Sequence, residues 1–169
     1  EIPQEVYEAW QAIARRGQAA RVAWESRLTS SSKRAVFEAS HGAVDKAALS
    51  AAMTAYRKQL SADAPKVATR KASEMALEVV NATLPNSVGG SADLTGSNNT
   101  RTKAMVPVSK ENYGGDYIHY GIREFAMAAI MNGMALHGGF RPYGGTFLAF
   151  ADYCRGAIRL SALMGVPVI

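Results

Sequence analysis

The chain has a single cysteine, Cys154, among 169 residues, so it cannot form an internal disulfide, and a reducing, cytoplasmic setting is expected. No apolar run approaches the ~20 residues that a membrane-spanning helix needs, and the first residues lack the charged-then-apolar pattern of a secretion signal. Membrane partners are therefore not expected. Without such a signal, the sequons Asn81-Ala82-Thr83 and Asn98-Asn99-Thr100 read as chance matches. The formal charge is +5, yet Lys and Arg are scattered, and the basic patch of a nucleic-acid binder is missing. What remains, 48% hydrophobic and 20% charged, suits a globular domain with a proper core, with or without an appendage.

One stretch organises the rest: YIHYGIREFAMAAIMNGMALHGGFRPYGGTFLAFADY, from Tyr117 to Tyr153. It reads as a short aromatic strand, an apolar helix, then a second strand leading into a helix studded with aromatics. Between Ile118 and Leu136 the only acid is Glu124, just inside the helix that opens after Gly121. A carboxylate in so apolar a setting is disfavoured as a charge, so it is paired, protonated or specifically hydrogen-bonded. The ordinary reading is a helix-start acid favoured by the macrodipole and paired with Arg123. Phe147, Phe150 and Tyr153 follow at steps of three, which spreads their rings over one broad helix face. Core packing is the ordinary role for such rings.

The first 65 residues read as helical: 5–28 with Trp10 and Trp24 on a docking stripe, a short helix at 34–39, and a third at about 45–60. From Thr69 a helix runs to Pro85, a strand at Ser87–Gly89 enters a Gly-Ser-Ala-Asp loop, and 96–115 form a long polar loop. Strands at 117–120 and 140–143 each feed a helix, and 166–169 read as the start of another strand. The expected fold class is α/β, a parallel sheet with helices on both faces, preceded by a helical extension. The expected division is 1–65 and 66–169. An opening without methionine and a close on Val166-Pro167-Val168-Ile169 are expected of a piece of something longer.

Gly121-Ile122-Arg123-Glu124 resembles the G-[IV]-R-E motif of transketolases. Tyr143-Gly144-Gly145-Thr146-Phe147-Leu148-Ala149-Phe150 resembles a second motif of that family, and Gly89-Gly90-Ser91-Ala92-Asp93-Leu94-Thr95-Gly96-Ser97 a third. The three stand in the family's order and spacing, and the likeness covers the chain, most strongly from Val67 onward. It implies the pyrimidine-binding domain of an enzyme that uses thiamine diphosphate and a divalent metal, magnesium or calcium. The implied reaction moves a two-carbon ketol unit from a ketose phosphate to an aldose phosphate in a homodimer whose cofactor lies at the subunit interface. Residues 1–65 become the end of the diphosphate-binding domain and its connector.

By the same resemblance, Glu124 hydrogen-bonds the aminopyrimidine ring nitrogen and is the catalytic residue. Phe147, Phe150 and Tyr153 wall the ring, and Asp93 stands close to the cofactor. Arg70 and Ser97 hold the substrate's terminal phosphate, a task suited to the guanidinium fork. Each has a plainer reading: Asp93 as a turn residue, Arg70 as a solvated helix-start arginine with Lys71 as its rival. The family's Gly-Asp-Gly metal motif is missing, since Gly114-Gly115-Asp116 does not match it, so no metal ligand is expected within this chain. A dihydroxyacetone synthase-like ketol transferase, or an interaction module that kept the fold and lost the chemistry, are the alternatives.

Overall fold

The computed structural model describes residues 2–169, and the chain divides into two compact units between Ala39 and Ser40. The first contains α1 (Gln4–Ser30), which follows Pro3, and most of α2 (Arg34–His41). None of the α1 residues is buried. Trp24 meets Phe37 edge-on with ring centroids 5.8 Å apart, and the Arg21 guanidinium lies 4.9 Å from the Trp24 centroid. Trp10 is 55% exposed, so the expected docking of both tryptophans holds within this unit for Trp24 alone.

In the second unit, α3 (Lys46–Asp63) is capped by Asp45, whose Oδ1 accepts from the N–H groups of Ala47 and Ala48 at 3.0 and 2.9 Å. The α/β layer follows as α4 (Thr69–Thr83), β1 (Ser87–Ser91), α5 (Thr95–Asn98), β2 (Tyr117–His119), α6 (Glu124–His137) and β3 (Arg141–Pro142). A 3₁₀ turn (Leu148–Phe150) then leads into α7 (Ala151–Met164). Among the described residues the sheet has three strands, all parallel, in the order β2-β1-β3. Gly89 pairs with Tyr117 and Ser91 with His119 on one side, and Val88 with Pro142 on the other.

The central strand carries a glycine pair because two tyrosines press against it. A Cβ on Gly89 would clash with the hydroxyl end of the Tyr143 ring, and one on Gly90 with the edge of the Tyr120 ring. Neighbouring strand residues face opposite sides, so the tyrosines seed two core layers. Tyr120 packs with Ala92, Met127, Ala128, Met131, Cys154 and Ala157, and Tyr143 packs with Met105 and Tyr117.

Two expected elements differ. The long loop opens with a four-residue helix, α5, because the Leu94 carbonyl accepts from the N–H groups of both Ser97 and Asn98 at 2.9 Å. Residues 166–169 do not form a strand. Ile169 alone lies beside β3, donating to the Pro142 carbonyl at 3.2 Å and accepting from the Gly144 N–H at 2.9 Å.

Candidate functional site

Three strand ends converge on the candidate site, as ligand positions do in open parallel sheets. After β1, Asp93 takes the left-handed conformation (φ 60°), which a short polar residue tolerates best after glycine. After β2, Gly121 (φ 68°) turns the chain. A Cβ there would meet the Arg123 guanidinium at 2.5 Å. Arg123 is non-helical (φ −149°, ψ 62°), so α6 begins at Glu124 rather than at Ile122. The Arg123 guanidinium bends back to donate to the Tyr120 carbonyl at 3.0 Å. It is therefore not the partner of Glu124. Among the described residues, none forms a hydrogen bond or ion pair with the Glu124 carboxyl group; only its main-chain carbonyl is engaged, by the Cys154 thiol at 3.3 Å.

Glu124 and Asp93 share a cleft of about 480 Å³ with Ala92, Leu94, Ile122, Phe150 and Tyr153. Apart from the two acids and the Tyr153 hydroxyl, its lining is apolar. Phe147, Phe150 and Tyr153 form a ladder of near-parallel rings, with centroids 6.2 and 6.3 Å apart and interplanar angles of 26° and 27°. The rings are more exposed than core aromatics: Phe150 is 37% and Tyr153 66% accessible. They are therefore not the core residues that their spacing alone suggests.

Phe147 lines the neighbouring cleft instead. This second space, about 530 Å³, brings Phe147 together with Arg70, Ser97, Ser73 and Thr100. Arg70 from α4 and Ser97 from α5 thus meet, although 27 residues separate them in sequence. Lys71, the rival of Arg70, is held by Glu74 at 2.8 Å and does not line the cleft. Beneath it, the Tyr143 hydroxyl donates to the Thr100 carbonyl at 2.7 Å and accepts from Asn81 Nδ2 at 3.1 Å. Burial pushes the Tyr143 hydroxyl up to about 12, the Asn81 hydrogen bond opposes this, and nearby Tyr117, Asp116 and Glu78 reinforce it.

The sequence reading missed Ile122 and Leu94 as apolar walls of the Glu124 cleft, and Ser73 in the other. Ile122 and Leu94 lie inside the quoted motifs. Ser73 stands three residues after Arg70 on the same helix, so its facing was legible from spacing.

A sequence profile described as "Transketolase, pyrimidine binding domain" matches residues 65–169. The chain belongs to this transketolase family. A transketolase of Cereibacter sphaeroides is 68% identical over 168 residues, which cover 99% of this chain and 25% of that protein. The crystal structure of transketolase from Campylobacter jejuni is 31% identical with a TM-score of 0.80, matching 99% of this chain and 24% of that one. A Pichia stipitis transketolase in complex with sedoheptulose-7-phosphate is 34% identical with a TM-score of 0.74, matching 99% and 26%. This transketolase-family chain therefore spans about a quarter of the length of the relatives it matches. Among its described residues, no three His, Cys, Asp or Glu gather as metal ligands, and no helix is long and apolar enough to cross a membrane.

Proposed function

We propose that the protein is a transketolase, a thiamine-diphosphate-dependent transferase that moves a two-carbon ketol unit from a ketose phosphate to an aldose phosphate. The observation that carries this reading is the unpartnered Glu124 carboxyl group at an apolar cleft walled by Phe150 and Tyr153. A partly buried acid without a partner is costly unless a ligand supplies one. A cleft of about 480 Å³ suits a heterocycle of this size.

When bound, thiamine diphosphate supplies the carbanion-stabilising chemistry. Glu124 shares a proton with the aminopyrimidine ring nitrogen and so activates the cofactor. Phe150 and Tyr153 would wall the ring, with Phe147 continuing the wall toward the adjoining cleft, and Asp93 would stand close to the cofactor. Arg70 and Ser97 take the terminal phosphate of the sugar in the adjoining cleft. The sedoheptulose-7-phosphate complex of the Pichia stipitis relative supports sugar phosphates as the substrate class.

The diphosphate and its divalent metal, magnesium or calcium, fall on this reading to a region outside the chain. The functional unit is a cytoplasmic homodimer with the cofactor between this domain and the diphosphate domain of the other subunit. Residues 1–65 serve as the helical tail of that preceding domain and its connector, and 66–169 as the pyrimidine-binding domain. The test is a ketol-transfer assay of the full-length protein with a ketose phosphate donor and an aldose phosphate acceptor. Transfer that needs added thiamine diphosphate and a divalent metal is expected. Absence of transfer with both present, or transfer after their complete removal, contradicts the reading.

A further inference from the structure

Helix α4 carries polar side chains at 74, 78 and 81, a four-then-three spacing that puts them on one face. Glu74 Oε2 accepts from the Asn99 side-chain amide at 3.1 Å and from Lys71 Nζ at 2.8 Å. Glu78 Oε1 accepts from the Lys103 main-chain N–H at 2.9 Å, and Asn81 Nδ2 donates to the Tyr143 hydroxyl. The Asn81 contact lies beneath the Arg70 cleft, through Tyr143, whereas the Glu74 contact joins the two short segments that carry Arg70 and Ser97.

Arg70 stands four residues before Glu74 on α4, and Ser97 two residues before Asn99. Asn99 ends α5 in the left-handed conformation (φ 55°), its N–H donating to the Thr95 carbonyl at 3.0 Å. The residue that terminates the Ser97 helix is thus the one whose side chain reaches Glu74. Among the described residues, this is the one side-chain hydrogen bond between α4 and residues 95–99. The Glu74 side chain is only 18% exposed, so water competes little for the contact. Its ion pair with Lys71 also leaves Arg70 as the only residue with a charged side chain among the described residues lining the cleft.

We propose that Glu74 is a positioning residue for phosphate recognition: by holding Asn99 it sets the separation of Arg70 and Ser97, and by holding Lys71 it keeps one cation on the cleft. The inference rests on the reading of Arg70 and Ser97 as phosphate ligands. Glu74 touches no substrate itself, so its loss acts on the phosphorylated end and not on the reacting carbons.

The test uses the full-length enzyme with a ketose phosphate donor and, in parallel, unphosphorylated hydroxypyruvate. Glu74→Ala is expected to raise KM for the ketose phosphate about tenfold with little change in kcat, and to leave hydroxypyruvate efficiency within about twofold. Asn99→Gly removes the amide while keeping the left-handed backbone unstrained, and is expected to repeat that pattern even if Glu74→Ala folds poorly. Glu74→Gln still accepts from Asn99 and should recover most of the loss. Glu78→Ala loosens the same helix further along and should leave the ratio of the two donors unchanged.

Equal losses on both donors in Glu74→Ala and Asn99→Gly, or the same selectivity in Glu78→Ala, overturn the proposal in favour of general loosening of α4. Arg70→Ala separates the two levels. If Arg70→Ala is donor-selective and both Glu74→Ala and Asn99→Gly behave as wild type, only the positioning role falls. If Arg70→Ala shows no donor selectivity, the phosphate reading and this inference fall together.

Discussion

The Cys154 thiol donates to the main-chain carbonyl of Glu124 across 3.3 Å, tying the first residue of α6 to the first turn of α7. The thiol is buried, and burial first, then the nearby Glu124 carboxylate, push its pKa up. Iodoacetamide at neutral pH should therefore label Cys154 far more slowly in the native protein than in urea. Peptide mapping by mass spectrometry reads the outcome. Equal labelling in both states contradicts the packing described.

The same two helices are clamped deeper down. Asn132 Nδ2 donates to the Ala157 carbonyl at 2.9 Å, and the Ser161 hydroxyl donates to Asn132 Oδ1 at 2.6 Å. Asn132→Ala leaves buried polar groups without a partner and opens a gap, so a loss of about 1–3 kcal/mol is expected in a denaturant titration. Ser161→Ala should cost less, because Asn132 keeps its bond to the Ala157 carbonyl.

Two buried tyrosines bear on alkaline stability. Tyr120 is pushed from 10.0 to about 12 by burial and then by neighbouring Tyr117, and Tyr143 reaches about 12 as well. Both hold their protons more tightly folded than unfolded. The stabilisation is therefore complete below about pH 10 and disappears as pH rises through about 12, at most about 2–3 kcal/mol for each ring. Tyr120→Phe and Tyr143→Phe should each lower the steepness of the stability loss between those pH values. A thermal-melt series over that range checks it.

The first two rings of the aromatic ladder should separate by function. Phe150 lines the Glu124 cleft, whereas Phe147 lines the Arg70 cleft. Phe150→Ala is expected to weaken thiamine diphosphate binding by about 1–3 kcal/mol, roughly 5- to 150-fold in Kd by calorimetry. Phe147→Ala should weaken it less.

Strand–helix alternation and the aromatic stretch made the parallel sheet legible, because short apolar runs after Gly-rich turns leave few other ways to bury them. The gathering of Arg70 with Ser97 was legible through motif resemblance alone. No local pattern ties α4 to α5, and the Glu74–Asn99 contact that does so spans 25 residues. The start of α6 was misplaced by two residues because helix periodicity says nothing of the Gly121 turn that keeps Arg123 out of the helix. The separation of Phe147 from Phe150 was hidden for a related reason. A 3₁₀ turn stands at Leu148–Phe150, so the helix that the spacing implied does not begin until Ala151. Of the strand expected at 166–169 only Ile169 pairs beside β3, and strand propensity says nothing of where pairing begins.

The central claim is that the Glu124 carboxyl group activates the cofactor by sharing a proton with its ring. The direct measurement is ketol-transfer turnover of Glu124→Gln and Glu124→Ala in the full-length enzyme, at thiamine diphosphate concentrations shown to saturate each variant. Neither an amide nor a methyl group can share that proton, so both variants should fold as wild type and lose about 10²-fold or more in kcat. Turnover of Glu124→Ala close to wild type under those conditions contradicts the account.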